Sequence, residues 1–170
     1  MTAQRQEENG RLRLRLLAGL MMAMVAGFDA GGGGARAAPS ERVVTDRRTG
    51  LAIGGIDPVA YFTDGQALPG RPDVEASASG VVWRFRNEAN RDFFLAHPEI
   101  YGPQFGGYDP VDLARGVIVA GRAQYWLIAG QRLYLFGRPD TRDAFAADPA
   151  AVAAQARARW PALRDTLPQQ

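Results

Sequence analysis

From Val81 the chain alternates: Val81, Trp83 and Phe85 fall on one side of an extended segment, Arg84 and Arg86 on the other. A period of two predicts a half-buried strand. Val74 to Ala78 precedes it across Ser79-Gly80, a two-residue turn signal, so a hairpin is expected. Asn87 suits the cap of the next helix, in which Asn90, Phe93, Phe94 and His97 recur three and four apart until Pro98 limits it. A second hairpin is predicted from Gln124 to Ala129 and from Arg132 to Phe136. Its turn, Gly130-Gln131, has glycine first, the type II′ preference. Another helix is expected from Pro139 to Ala147. Asp148-Pro149 then opens an alanine-rich helix ending near Pro161, with Arg157, Arg159 and Arg164 placed to complement the helix dipole. Upstream, Leu51 to Gly55 reads as a short strand. Asp57 is a good N-cap and Pro58 a good first residue for one helical turn, stopped at Asp64-Gly65.

The two strand–helix units repeat. Phe85, Arg91, Asp92, Phe94, Ala96 and Pro98 recur as Phe136, Arg142, Asp143, Phe145, Ala147 and Pro149, all at an offset of 51, and Trp83 is matched by Tyr134. Such self-similarity marks one supersecondary unit used twice. Two copies are too few for a solenoid, so the expected fold is a pseudo-symmetric α+β domain: a small antiparallel sheet of hairpins with short helices around a shared core.

Composition narrows the chemistry. None of the 170 residues is cysteine, which excludes disulfides, thiolate zinc sites, CxxC redox motifs, cysteine nucleophiles and a lipobox. His97 is the single histidine, so one chain cannot build a multi-histidine metal site, and no Gly-x-Ser-x-Gly elbow accompanies it. All basic residues are arginine, which removes Schiff-base chemistry and the P-loop lysine.

A pI near 9.4 points toward acidic partners until the charges are located. Residues 1–37 hold Arg5, Arg11, Arg13, Arg15 and Arg36 against Glu7, Glu8 and Asp29. The remainder balances, so no nucleic-acid partner is expected. The early arginines lead into an uncharged run, Leu16 to Phe28, followed by a glycine run and Ala35-Arg36-Ala37. These are the parts of a secretory signal peptide, and the apolar run is shorter than the roughly 20 residues of a bilayer span. The domain plan is therefore a signal peptide over 1–37, a flexible lead-in over 38–50 and a folded domain over 51–165. Cleavage near Ala37 would release a periplasmic or secreted protein with no stable membrane anchor.

At Gly54-Gly55-Ile56-Asp57-Pro58-Val59-Ala60-Tyr61-Phe62 the chain resembles the exported bacterial branch of the YHS-domain family. The likeness continues through Trp83-Arg84-Phe85, Asn90-Arg91-Asp92-x-Phe94, Pro98-Glu99-x-Tyr101 and Pro103-Gln104-Phe105-Gly106-Gly107-Tyr108. The resemblance implies a small α+β domain and, for cysteine-bearing members in heavy-metal transporters and redox enzymes, an association with metals. The branch usually places a cysteine after its Gly-Gly-Tyr. Here Asp109 stands there, a hard carboxylate in place of a soft thiolate, which weakens the case for copper or zinc.

The candidate ligand-binding residues are Asp57 and Tyr61 in the first glycine-rich segment and Tyr101, Gln104, Tyr108 and Asp109 in the second. Paired glycines allow close backbone approach to a ligand, and tyrosine tips on an aromatic wall suit a small-molecule pocket. If the two segments face each other, Asp57 and Asp109 would offer a hard cation two carboxylates, fewer than calcium prefers. No catalytic residue and no cofactor is expected, a metal ion being the one exception in view. The leading expectation is a non-enzymatic periplasmic binding or accessory protein for a small ligand, metal ion or protein partner. The alternatives are a metal-dependent redox or metal-homeostasis accessory protein using Asp109, Asp57 or His97, and a structural interaction module using the alanine-rich helix.

Overall fold

Two antiparallel hairpins carry the domain, seen in a computed structural model that describes residues 42–168. The first pairs β1 (Arg71–Ala78) with β2 (Val81–Phe85), and the second pairs β3 (Arg122–Ala129) with β4 (Arg132–Phe136). The helices are α1 (Ala60–Thr63), α2 (Glu88–Ala96), α3 (Pro98–Tyr101), α4 (Pro110–Ala114), α5 (Pro139–Ala147) and α6 (Pro149–Arg164). The α+β class is as expected, with the strands in two separate two-stranded sheets rather than one. The expected signal peptide over 1–37, with its expected cleavage near Ala37, and the start of the lead-in lie outside the described residues.

The repeat is deeper than its aromatic matches. Both hairpins shift register at one place, between Arg71 and Glu75 and between Arg122 and Trp126, again 51 residues apart. Short 3₁₀ turns, Ile53–Gly55 and Gln104–Gly107, precede each unit. Each carries a non-glycine residue in the left-handed region, Ile53 at φ 44° and Phe105 at φ 56°. L side chains rarely occupy that region, so the same strained turn is held twice by its surroundings. Parallel bridges from Leu51 to Val82 and from Pro103 to Leu133 tie each turn to the shorter strand of its hairpin.

Both hairpin turns have positive φ at the two central residues: Ser79 54° and Gly80 78°, Gly130 56° and Gln131 58°. That is type I′, which corrects the type II′ expectation for Gly130-Gln131. The twist of the flanking strands favours I′ strongly enough to hold a glutamine in the left-handed region.

Each helix after a hairpin packs one phenylalanine onto two strand aromatics. Phe94 lies 4.7 Å from Trp83 and 5.3 Å from Phe85 between ring centroids, while Phe145 lies 4.6 Å from Tyr134 and 5.3 Å from Phe136. Tilted ring pairs at these separations add to the burial of apolar area itself. The expected single core is in fact two clusters that meet at β4. Leu133 and Leu135 join Tyr61, Trp83, Phe85 and Phe94, whereas Tyr134 and Phe136 join Leu113, Phe145 and Trp160. β4 is therefore apolar on both faces. Its counterpart β2 is not, because Arg84 stands where Leu135 stands and pairs with Glu75 at 2.7 Å.

The structure departs from the sequence pattern in several places: β1 starts at Arg71 rather than Val74, β3 at Arg122 rather than Gln124, and α3 and α4 are not among the expected helices. Residues 42–50 of the expected flexible lead-in are part of the domain. Val43 is buried, the Val44 amide donates to the Gly106 carbonyl at 2.8 Å, and Thr45 bridges Ala52. Leu51 to Gly55 makes single bridges and a 3₁₀ turn rather than a strand. The last helix continues past Pro161 to Arg164, its end held by buried Trp160 and by Leu163 against the second cluster. Among the described residues no helix is long and apolar enough to cross a membrane.

Candidate functional site

Asp57 and Asp109 are wholly buried and their oxygens are already engaged. Asp57 Oδ1 accepts from the Val59 amide at 2.8 Å. Its Oδ2 accepts from the Arg86 amide at 2.8 Å and from Asn90 Nδ2 at 2.7 Å. Asp109 repeats the arrangement: Oδ1 accepts from the Val111 amide at 2.9 Å and the Asp112 amide at 3.4 Å. Its Oδ2 accepts from the Gly137 amide at 2.8 Å and Thr141 Oγ1 at 2.6 Å. Each carboxylate thus ties the turn before its hairpin to the strand–helix junction after it, with Asn90 and Thr141 filling the same place. Buried acceptors satisfied this fully are structural anchors, and a cation would have to displace those donors to reach them.

The counterpart relation was present in the sequence. Gly-Gly-x-Asp-Pro-Val occurs at 54–59 and again at 106–111, at an offset of 52. Asp109 is therefore the second copy of Asp57, which accounts for a carboxylate there without reference to a missing cysteine. Where Asn87 caps α2 by accepting from the Asn90 amide, Arg138 stands instead. Its guanidinium donates to both oxygens of buried Asp112, at 2.7 and 3.1 Å.

The tyrosines of the expected site are spread along the molecule. Tyr61 is buried, its ring edge-on to Trp126 at 5.1 Å and its hydroxyl donating to the Ala123 carbonyl at 3.0 Å. Burial pushes its phenol far above the ordinary value. Tyr101 packs edge-on to Phe62 at 5.2 Å. Tyr108 lies 5.6 Å from Trp160, its phenol raised by burial and partly restored by the charge of Arg42. Gln104 is half-buried in the second 3₁₀ turn. His97 is exposed and pairs with Glu99 at 3.6 Å. Among the described residues no three histidine, aspartate or glutamate side chains form a group suited to a metal ion.

Tyr61 yields a direct prediction. Its phenol titrates at higher pH in the folded chain than near 10 in the unfolded one, so its contribution is complete below pH 10 and fades as pH rises beyond. Tyr61→Phe should cost about 1 kcal/mol at pH 7 through the lost hydrogen bond. It should also flatten the alkaline decline of stability, as read by urea unfolding at pH 7 and pH 11.

Concavities occur elsewhere, and two of them are related by the repeat. One, of about 210 Å³, is lined by Val43, Ser79, Trp83, Pro98, Glu99 and Gly102 among others. The other, of about 320 Å³, is lined by Ala129, Gly130, Tyr134, Pro149, Ala150, Ala153 and Arg157. Ser79, Trp83, Pro98, Glu99 and Gly102 correspond to Gly130, Tyr134, Pro149, Ala150 and Ala153, each 51 residues on. Both clefts therefore sit between a hairpin turn and the helix that begins at the repeated proline. None of Asp57, Tyr61, Tyr101, Gln104, Tyr108 and Asp109 borders either cleft. Sequence reasoning had Trp83, Tyr134 and the two prolines as matched repeat positions, but nothing in their spacing marked them as cleft walls.

Comparison with protein-family models, with curated proteins and with solved structures finds no match to this chain.

Proposed function

We propose that the chain is an exported, YHS-like binding or accessory protein of the periplasm, non-enzymatic, whose hairpin–helix clefts receive a small ligand. The export part of this reading rests on the charge and hydropathy pattern of residues 1–37, and the YHS part on the motifs at 54–62 and 103–108. The observation that carries the binding part is the recurrence of one concavity in both copies of the repeat, aromatic on one wall and helical on the other. Clefts with an apolar lining and a few polar tips are the usual form of small-ligand sites. The carboxylates that sequence reasoning placed at the site act instead as anchors that shape the two copies.

Amide-detected NMR of the purified full-length chain, titrated with small aromatic and carboxylate compounds, tests this reading. Saturable shifts should gather at Ser79, Trp83 and Gly102 or at Ala129, Tyr134 and Ala153. If no compound shifts either group while a stoichiometric metal co-purifies, the reading gives way to the metal-dependent accessory.

A further inference from the structure

The two equivalent clefts have diverged in charge and access. In the first, the side chain over the helix start is Glu99, and Val43 closes one side where the 42–44 segment crosses. The indole nitrogen of Trp83 is occupied, donating to the Ala78 carbonyl at 3.1 Å. In the second, Ala150 replaces Glu99, the volume is half as large again, and Tyr134 replaces Trp83. The Tyr134 ring is buried, yet its hydroxyl makes no hydrogen bond to any described residue. Arg157 borders the same cleft, is exposed, and has no ion-pair partner among the described residues. Burial raises the Tyr134 phenol while the charges of Arg157 and Arg132 pull it back, so both guanidinium groups act on that hydroxyl. Arg132 donates to the Glu99 carbonyl and does not border the cleft, which leaves Arg157 as the arginine on its wall.

We infer that the cleft between the β3–β4 turn and α6 binds a small organic carboxylate, held by Arg157 and the Tyr134 hydroxyl. Its apolar body rests on Ala129, Pro149, Ala150 and Ala153. The inference deepens the binding function proposed above and rests on it. One cation and one neutral donor match a single negative charge on an apolar body, and an arginine–carboxylate contact is charge-assisted. A phosphate dianion is disfavoured, because Asp148 already occupies the start of α6 by accepting from the Ala151 amide at 3.0 Å. That carboxylate consumes a helix amide and adds a negative charge beside the cleft. A cleft of this volume also falls in the range of small-molecule sites, whereas its first-copy counterpart is below it.

The test is an NMR titration of the full-length chain with benzoate, with benzamide as the neutral isostere. Benzoate should bind saturably, with shifts at Ala129, Ala150 and Ala153, and benzamide should bind about tenfold more weakly or not at all. Arg157→Ala should weaken benzoate by about tenfold without altering thermal unfolding, since Arg157 is exposed. Tyr134→Phe should weaken it about threefold while keeping the ring packed on Phe145. Equal binding of benzoate and benzamide at this cleft, or an unaffected Arg157→Ala variant, would overturn the carboxylate assignment and leave the binding function standing. Shifts confined to the first cleft would do the same. Absence of binding by either compound at either cleft would remove both.

Discussion

Asp109→Ala should lower the unfolding free energy by about 4 kcal/mol, among the largest effects of any single side-chain truncation in this chain. The carboxylate is wholly buried and accepts from the Val111, Asp112 and Gly137 amides and from Thr141 Oγ1. Truncation leaves the Val111, Asp112 and Gly137 amides without this acceptor in a place water does not reach, while Thr141 Oγ1 keeps the Arg138 carbonyl at 2.9 Å. Each unmet buried donor costs about 1–3 kcal/mol before relaxation. Asp57→Ala should cost nearly as much, since three donors converge there. Asp148→Ala is the internal reference. That aspartate is exposed and caps α6 through one bond to the Ala151 amide, so its loss should cost about 1 kcal/mol. Urea unfolding of the three variants provides the comparison. Equal losses for Asp109→Ala and Asp148→Ala would show that the buried carboxylate does not tie hairpin to turn.

The second large effect concerns space rather than charge. Gly121→Ala and Gly70→Ala should each cost about 3 kcal/mol, although neither glycine has a left-handed φ and alanine fits their backbone angles. At Gly121 a Cβ would sit 2.5 Å from the Gly107 carbonyl oxygen and 2.6 Å from Leu135 Cβ. At Gly70 it would sit 2.4 Å from the Arg84 carbonyl carbon. These are the points where the longer strand of each hairpin begins, its amide donating back to the glycine pair: Gly70 to Gly55 and Gly121 to Gly107, both at 2.9 Å. Backbone cannot swing aside as a side chain can, so the close approach has to open. Gly65→Ala separates this effect from simple loss of glycine freedom. Gly65 has a φ of 64° and nothing within 4 Å of its would-be Cβ, so only about 1 kcal/mol of backbone strain is expected. Thermal and urea unfolding should rank Gly121→Ala and Gly70→Ala well below Gly65→Ala in stability. Similar values for all three would remove the packing argument.

Much of the fold was legible because its signals are local. Val81, Trp83 and Phe85 alternate with arginines and form β2, with Trp83 and Phe85 facing α2. Asn87 caps its helix by accepting from the Asn90 amide, and Asp148-Pro149 opens the last helix as its composition indicates. The aromatic repeat at an offset of 51 corresponds to two strand–helix units with matching ring distances and strand register. The glycine-rich segments were harder. An aspartate beside paired glycines and a tyrosine reads equally well as a ligand-binding tip or as an anchor, since both need an oxygen acceptor in a turn. The difference lies in Arg86, Asn90, Gly137 and Thr141, whose donors come from some 30 residues downstream.

The sequence by itself determined the two hairpins, the helices α2, α5 and α6, the duplication and the neutral charge of the chain beyond residue 37, because hydropathy period, caps and turn residues act within a few positions of the backbone. Tertiary structure alone decided that Asp57 and Asp109 are buried and satisfied, that β4 is enclosed on both faces, and that two equivalent concavities fall at the hairpin–helix junctions. Those outcomes depend on which distant donors and side chains converge on a given point. An acceptor surrounded by donors serves the fold, whereas Tyr134 and Arg157 border a cleft with no hydrogen bond from the phenol and no ion pair at the guanidinium among the described residues.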